Sequence, residues 1–192
     1  MARTGLPILL STGMTDMTEL TQSIACLRDA GCTDLAVMQC TAEYPAPADQ
    51  INLRAMNTIG DHFGVTVGYS DHTEGDAAAI AAVAMGACVY EKHFTLDKTA
   101  LGPDHRASME PEELKALIVK MRQTEHMLGS GEKQIMPCEA KNKPILQKSI
   151  VAAQDLTAGT VLVEADLLTK RTGGVGIAPT RFDDIVGQTL HA

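Results

Sequence analysis

Short apolar runs alternate with helical patterns along the first ~128 residues. PILLSTG (7–13) is a near-continuous apolar run, the pattern of a strand covered on both faces. Asp16 and Glu19 then have the spacing of a capping box. Leu20, Ile24 and Leu27 follow at helical spacing up to Gly31. LAVMQCT (35–41) predicts a second strand, EYPAPADQ (43–50) a proline-broken loop and residues 52–63 a second helix. VTVGYSDH (65–72) and ACVYEKH (87–93) predict two more strands, joined through a helix rich in alanine. PEELKALIVKMRQTEHML (111–128) is amphipathic, with Pro111 in the first turn, where its missing N–H costs nothing. Alternating strands and helices imply a parallel α/β sheet, which carries its function at the carboxyl ends of its strands.

Beyond residue 128 the texture changes. Residues 129–148 are polar and marked by Gly and Pro, and read as a linker. Residues 149–192 have short β runs and turns, and read as a small second domain without an obvious closing element.

Polar groups recur where the predicted strands stop: Ser11 and Thr12, Thr41 to Tyr44, Ser70 to His72, and Glu91 to Thr95. His72 and His93 end successive strands. Neighbouring strands lie ~4.8 Å apart, so two imidazoles there can converge on one metal, whose bonds to nitrogen are ~2.1 Å. Side chains alternate along a strand, so Ser70 shares a face with His72, and Glu91 with His93. A pair of hydrogen-bonded core histidines is the bland alternative. Glu91 reads equally as a metal-shell or water-orienting carboxylate and as the partner of a neighbouring lysine. Asp71 faces away and reads as structural, Lys92 alternates away from His93, and Lys98 falls in a mobile loop. His105 and Arg106 read as loop residues.

Composition narrows the classes. A net charge of −8 without a basic cluster argues against nucleic acid as a partner. No segment approaches ~18 unbroken apolar residues, so no membrane partner is expected. Five cysteines without metal-ligand spacing suggest a reducing cytoplasm, with Cys26, Cys40 and Cys88 read as buried thiols.

The motifs STGM (11–14), QCTAEYPAP (39–47), GYSDHT (68–73), EKHFTLDK (91–98) and GPDHRAS (102–108) resemble, in order, the second half of the sialic acid synthase family. KRTGG (170–174) is similar to the KRPG motif of that family's antifreeze-like (SAF) domain. The resemblance implies strands 5–8 of a (β/α)8 TIM barrel at 1–128, followed by a truncated SAF domain. It implies condensation of phosphoenolpyruvate with an N-acyl-mannosamine-type sugar to a nonulosonic acid, a transferase reaction. His72 and His93 match metal ligands, for Mn2+ or Mg2+, and stand with Glu91 as the catalytic candidates. Ser70 matches a phosphoenolpyruvate contact, and Tyr44 and Asp104 match sugar contacts. Arg171 matches an arginine inserted into a partner subunit's site, so a homodimer or a complementary half-barrel chain is the expected partner. Thr172 and Ala42 depart from the family's usual proline and small polar residue. A barrel needs ~250 residues, and the phosphate-binding lysines of the first four strands have no counterpart here. The chain alone is therefore expected to be incomplete as a synthase. The alternative is a non-catalytic remnant that folds or dimerises and at most binds metal or sugar.

Overall fold

The computed structural model describes residues 1–102 and 104–191 and divides into two compact units, Met1–Gly131 and Glu132–Ala192. The first unit runs β1 (Ile8–Ser11), α1 (Met17–Asp29), β2 (Leu35–Cys40), α2 (Arg54–Phe63), β3 (Thr66–Asp71), α3 (Ala77–Ala84), β4 (Val89–Lys92) and α4 (Pro111–Leu128). Its sheet is parallel throughout, in the order β1-β2-β3-β4. Each strand stops short of the carboxyl end of its predicted run, and all but β2 also start later than predicted. Ladder pairing stops at Lys92 and Asp71, and the residues beyond turn into the loops that hold the polar clusters. α2 begins at Arg54 rather than residue 52, because Asn52 adopts a left-handed φ of 45°.

Alternation sorts the side chains of each strand. Val37 packs with Leu20 and Ile24 of α1 and Ile59 of α2 on the helix-covered face. Tyr69 packs with Met56, Ala78 and Ala82 on the same face. Farther along, Ala79 of α3 meets Met109 and Leu117. Burying an isoleucine such as Ile24 contributes roughly 2 kcal/mol. The Asp16 carboxylate accepts from the Thr18 and Glu19 amides at 2.8 and 2.9 Å, and Glu19 accepts from the Asp16 amide at 3.1 Å. The predicted capping box is therefore complete.

On the other face Met38 and Ser70 flank Gly68. A Cβ built on Gly68 would stand 2.4 Å from the carbonyl oxygen of Val89 and 2.8 Å from its Cβ. Strands β3 and β4 thus approach at a point where only glycine fits.

Two of the three cysteines read as buried are not. Cys26 is exposed because the buried stripe of α1 is Leu20 and Ile24, and Cys26 lies two residues round the helix from Ile24. Cys88 is exposed just before β4, and Cys40 is buried as expected.

The second unit pairs β5 (Lys148–Ala152) antiparallel with β6 (Leu167–Arg171). The stretch read as a linker holds two short helices, α5 (Pro137–Ala140) and α6 (Lys143–Leu146), and its last residue, Lys148, opens β5. A third short helix, α7 (Phe182–Ile185), follows β6. The Thr172 hydroxyl donates to Val175 O and lies 3.0 Å from Ser149 Oγ. Thr172 therefore ties the KRTGG turn to β5. Among the described residues no helix is long and apolar enough to cross a membrane.

Candidate functional site

Parallel register decides which side chains meet. Ser70 is paired with Glu91 across β3 and β4, and Asp71 with Lys92. His72 and His93 follow one residue later on the two strands. Their ring centroids lie 5.1 Å apart, nearly perpendicular at 78°. Ser70 Oγ donates to Glu91 Oε1 at 2.6 Å. Glu91 is therefore held by the serine, not by a lysine. While that bond lasts, the Ser70 oxygen can only accept from other groups.

The β2–α2 loop closes over this pair. Its Ala46 amide donates to His72 O at 2.9 Å. The Tyr44 ring lies 4.1 Å from that of His72 and 5.2 Å from that of His93. Burial first, then the nearby Cys40, Asp104 and Glu91, push the Tyr44 phenol above its ordinary value. The phenol thus remains an O–H donor at neutral pH. Asp104 Oδ2 stands 3.9 Å from His93 Nδ1. Tyr44, Ser70, His72, Glu91, His93 and Asp104 therefore gather at one end of the sheet. Arg171 closes β6 in the second unit and is exposed there.

His72 shows a specific preparation. Its Nδ1 lies 2.8 Å from Thr41 O, with Cys40 Sγ at 3.8 Å. A carbonyl oxygen only accepts, so Nδ1 carries a proton and neutral His72 keeps the lone pair on Nε2. A backbone carbonyl behind the ring is the usual arrangement of a metal-binding imidazole. The donor set at the site thus fits a divalent metal as two imidazoles. Among the described residues no group of three or more His, Cys, Asp or Glu is arranged to hold one. Water or substrate oxygens would have to complete the coordination.

Behind the histidines, on the helix-covered face, lies a network that the sequence pattern did not single out. Asp71 is fully buried and Lys92 nearly so, with 3.5 Å between Lys92 Nζ and Asp71 Oδ2. Tyr90 Oη donates to Asp71 Oδ2 at 2.7 Å, and the Thr73 amide donates to Asp71 Oδ1 at 2.7 Å. Lys92 also donates to Thr73 O. Burial lowers the Lys92 ammonium pKa, and the Asp71 charge opposes that shift. The signal was available: register that pairs Ser70 with Glu91 must pair Asp71 with Lys92, opposite charges on the opposite face. Lys98 also has a partner in α4. Its Nζ donates to Glu113 Oε1 at 2.6 Å, at the start of α4. His105 is likewise held, its Nδ1 2.7 Å from Thr95 Oγ1.

Burial, and then Asp71, push the Tyr69 and Tyr90 phenols well above the ordinary 10.0. Both stay protonated in the folded protein while unfolded phenols ionise from about pH 10. Their contribution is therefore fully present below pH 10 and is lost as pH rises beyond it. Stability is expected to fall by at most about 1.4 kcal/mol per pH unit for each tyrosine. Urea titrations between about pH 9 and pH 11 check this, and Tyr90→Phe should flatten the slope.

The profile of the NeuB family matches residues 1–133, and that of the SAF domain matches residues 147–191. The chain is 44% identical over 189 residues to an N,N'-diacetyllegionaminic acid synthase of Campylobacter jejuni, covering 97% of this chain and 56% of that protein. It is 39% identical over 191 residues to the human N-acetylneuraminate-9-phosphate synthase, covering 98% and 53%. The solved N-acetylneuraminic acid synthetase of Leptospira borgpetersenii superposes with a TM-score of 0.67 at 30% identity, over 73% of this chain and 49% of that one. The chain spans about half the length of the curated relatives it matches. With its strand-end motifs inside the matched region and a SAF match behind them, the chain belongs to the NeuB family.

Proposed function

We propose that this chain forms the metal- and sugar-binding part of a synthase that condenses phosphoenolpyruvate with an N-acyl-mannosamine-type sugar. In this reading β1 to β4 are strands five to eight of a (β/α)8 barrel, and residues 149–192 form the SAF domain. The observation that carries it is the convergence of His72, His93, Tyr44 and Asp104 at the carboxyl end of a parallel sheet. That is where such sheets hold their chemistry.

His72 and His93 would hold a divalent metal, Mn2+ or Mg2+, which supplies Lewis-acid polarisation of the open-chain sugar aldehyde. Tyr44, as an O–H donor, and Asp104, as an acceptor, orient the sugar hydroxyls. Ser70 must release Glu91 before its hydroxyl can donate to phosphoenolpyruvate. The freed Glu91 carboxylate can then orient the water that the reaction consumes. The methylene carbon of phosphoenolpyruvate attacks the aldehyde carbon. Water adds to the resulting oxocarbenium carbon, and the tetrahedral adduct collapses with loss of phosphate. Cationic donors for the phosphate would come from a complementary half-barrel chain. Arg171 would act in a partner subunit of a homodimer, near the acyl group of the sugar. The reading places the protein in the cytoplasm.

Phosphate release from phosphoenolpyruvate and N-acetylmannosamine with Mn2+ tests this. The purified chain alone is expected to be silent. Mixing it with the first half of the Campylobacter relative should restore turnover, and Asp104→Ala in this chain should remove it. Full turnover by the chain alone would contradict the division of labour. A mixture that assembles, binds metal and stays silent would leave the non-catalytic reading.

A further inference from the structure

We propose that the buried Asp71–Lys92 pair is a positioning pair that sets the spacing of His72 and His93. The inference rests on the reading of those histidines as metal ligands and adds the element that holds them apart at a fixed distance.

Asp71 and Lys92 are cross-strand partners, and each directly precedes one of the two histidines. Because side chains alternate, the pair lies on the helix-covered face while the imidazoles project from the other. Four interactions close the arrangement. Lys92 Nζ meets Asp71 Oδ2 and donates to Thr73 O. Tyr90 Oη and the Thr73 amide donate to the two oxygens of Asp71. They join residues 71 and 73, on either side of His72, to residues 90 and 92, just before His93. Any change in the β3–β4 separation at this level must therefore stretch several bonds at once.

Stability does not explain such a pair well. Removing two charges from water is costly, and replacing a buried ion pair with neutral groups of similar volume is often neutral or stabilising. A purely structural pair predicts a neutral replacement with unchanged metal binding. A positioning pair predicts retained folding with weakened metal binding, as when a supporting group behind a metal ligand is removed.

The test compares the wild-type chain with the double variant Asp71→Asn/Lys92→Met and with Tyr90→Phe. Three readouts are taken: thermal unfolding, Mn2+ affinity by calorimetry, and metal-free 15N spectra of the His72 and His93 imidazoles. The double variant is expected to stay folded, to lose about tenfold in Mn2+ affinity, and to show shifted imidazole resonances. Tyr90→Phe removes a single bond of the network and is expected to lose about threefold, less than the ~10- to 100-fold of removing a whole supporting group. Wild-type affinity with unchanged imidazole spectra in the folded double variant would overturn the proposal. If the double variant does not fold, unchanged affinity and spectra in Tyr90→Phe would overturn it instead. Failure of the wild-type chain itself to bind Mn2+ would remove the metal reading, and the metal-free spectra would then decide the positioning role.

Discussion

Gly68→Ala is expected to cost the four-stranded unit about 3 kcal/mol, at the upper end of overpacking effects. The added methyl would sit 2.4 Å from the Val89 carbonyl oxygen, far inside van der Waals contact. That oxygen belongs to the backbone of the neighbouring strand, so no rotamer change relieves the clash. The sheet must open between β3 and β4 or bend. Either response acts two and four residues before Ser70 and His72, on their own face of the strand. Thermal unfolding followed by circular dichroism checks the energetic part. A midpoint within about 2 °C of wild type would contradict it. Gly60→Ala is a useful contrast. Its Cβ would meet the Val67 Cγ1 methyl at 2.9 Å, a side-chain atom rather than backbone.

His72→Ala is expected to weaken Mn2+ binding by at least about 100-fold. As the proposed direct ligand, His72 should count for more than the ~10- to 100-fold effect of losing a group behind a ligand. The substitution removes Nε2, the lone pair that the Thr41 carbonyl leaves available. It also removes the ring on which Tyr44 packs, so sugar binding should fall with it. His126→Ala, on the exposed side of α4, is the matched control and should bind as wild type. Calorimetric titration of the three proteins decides the matter. Equal Mn2+ affinity in wild type and His72→Ala would remove the metal site.

Much of the first unit was legible in the chain because the two signals that specify it are local. Apolar runs of strand length marked β1 to β4, and the Asp16–Glu19 spacing marked the start of α1. The grouping of His72 with His93 followed from the period-two alternation of strands together with the strand ends. What escaped depended on the second face of the same strands. Asp71 reads as structural and Lys92 as turned away from His93, but neither reading names the other as its partner, because each was judged against its neighbours in sequence. Their partnership exists only across the ladder. For Glu91 only the lysine alternative fails, and for a related reason. A carboxylate followed by a lysine invites an intrastrand ion pair, but adjacent strand residues point to opposite faces, and its partner is Ser70 on the next strand. Cys26 was misjudged through helix phase. Cys26 lies in an apolar-looking helix, yet Leu20 and Ile24 alone define its buried side.

The position of Tyr44 has an optical consequence. The chain contains no tryptophan and only three tyrosines. Tyr69 is wholly buried and Tyr90 donates to Asp71, so both are shielded from events at the open end of the sheet. Tyr44 is 42% exposed and rests against both imidazoles. Among the three fluorophores it is the one whose surroundings change when anything occupies that end. Its emission can therefore report binding in the unlabelled protein, with Tyr44→Phe as the blank.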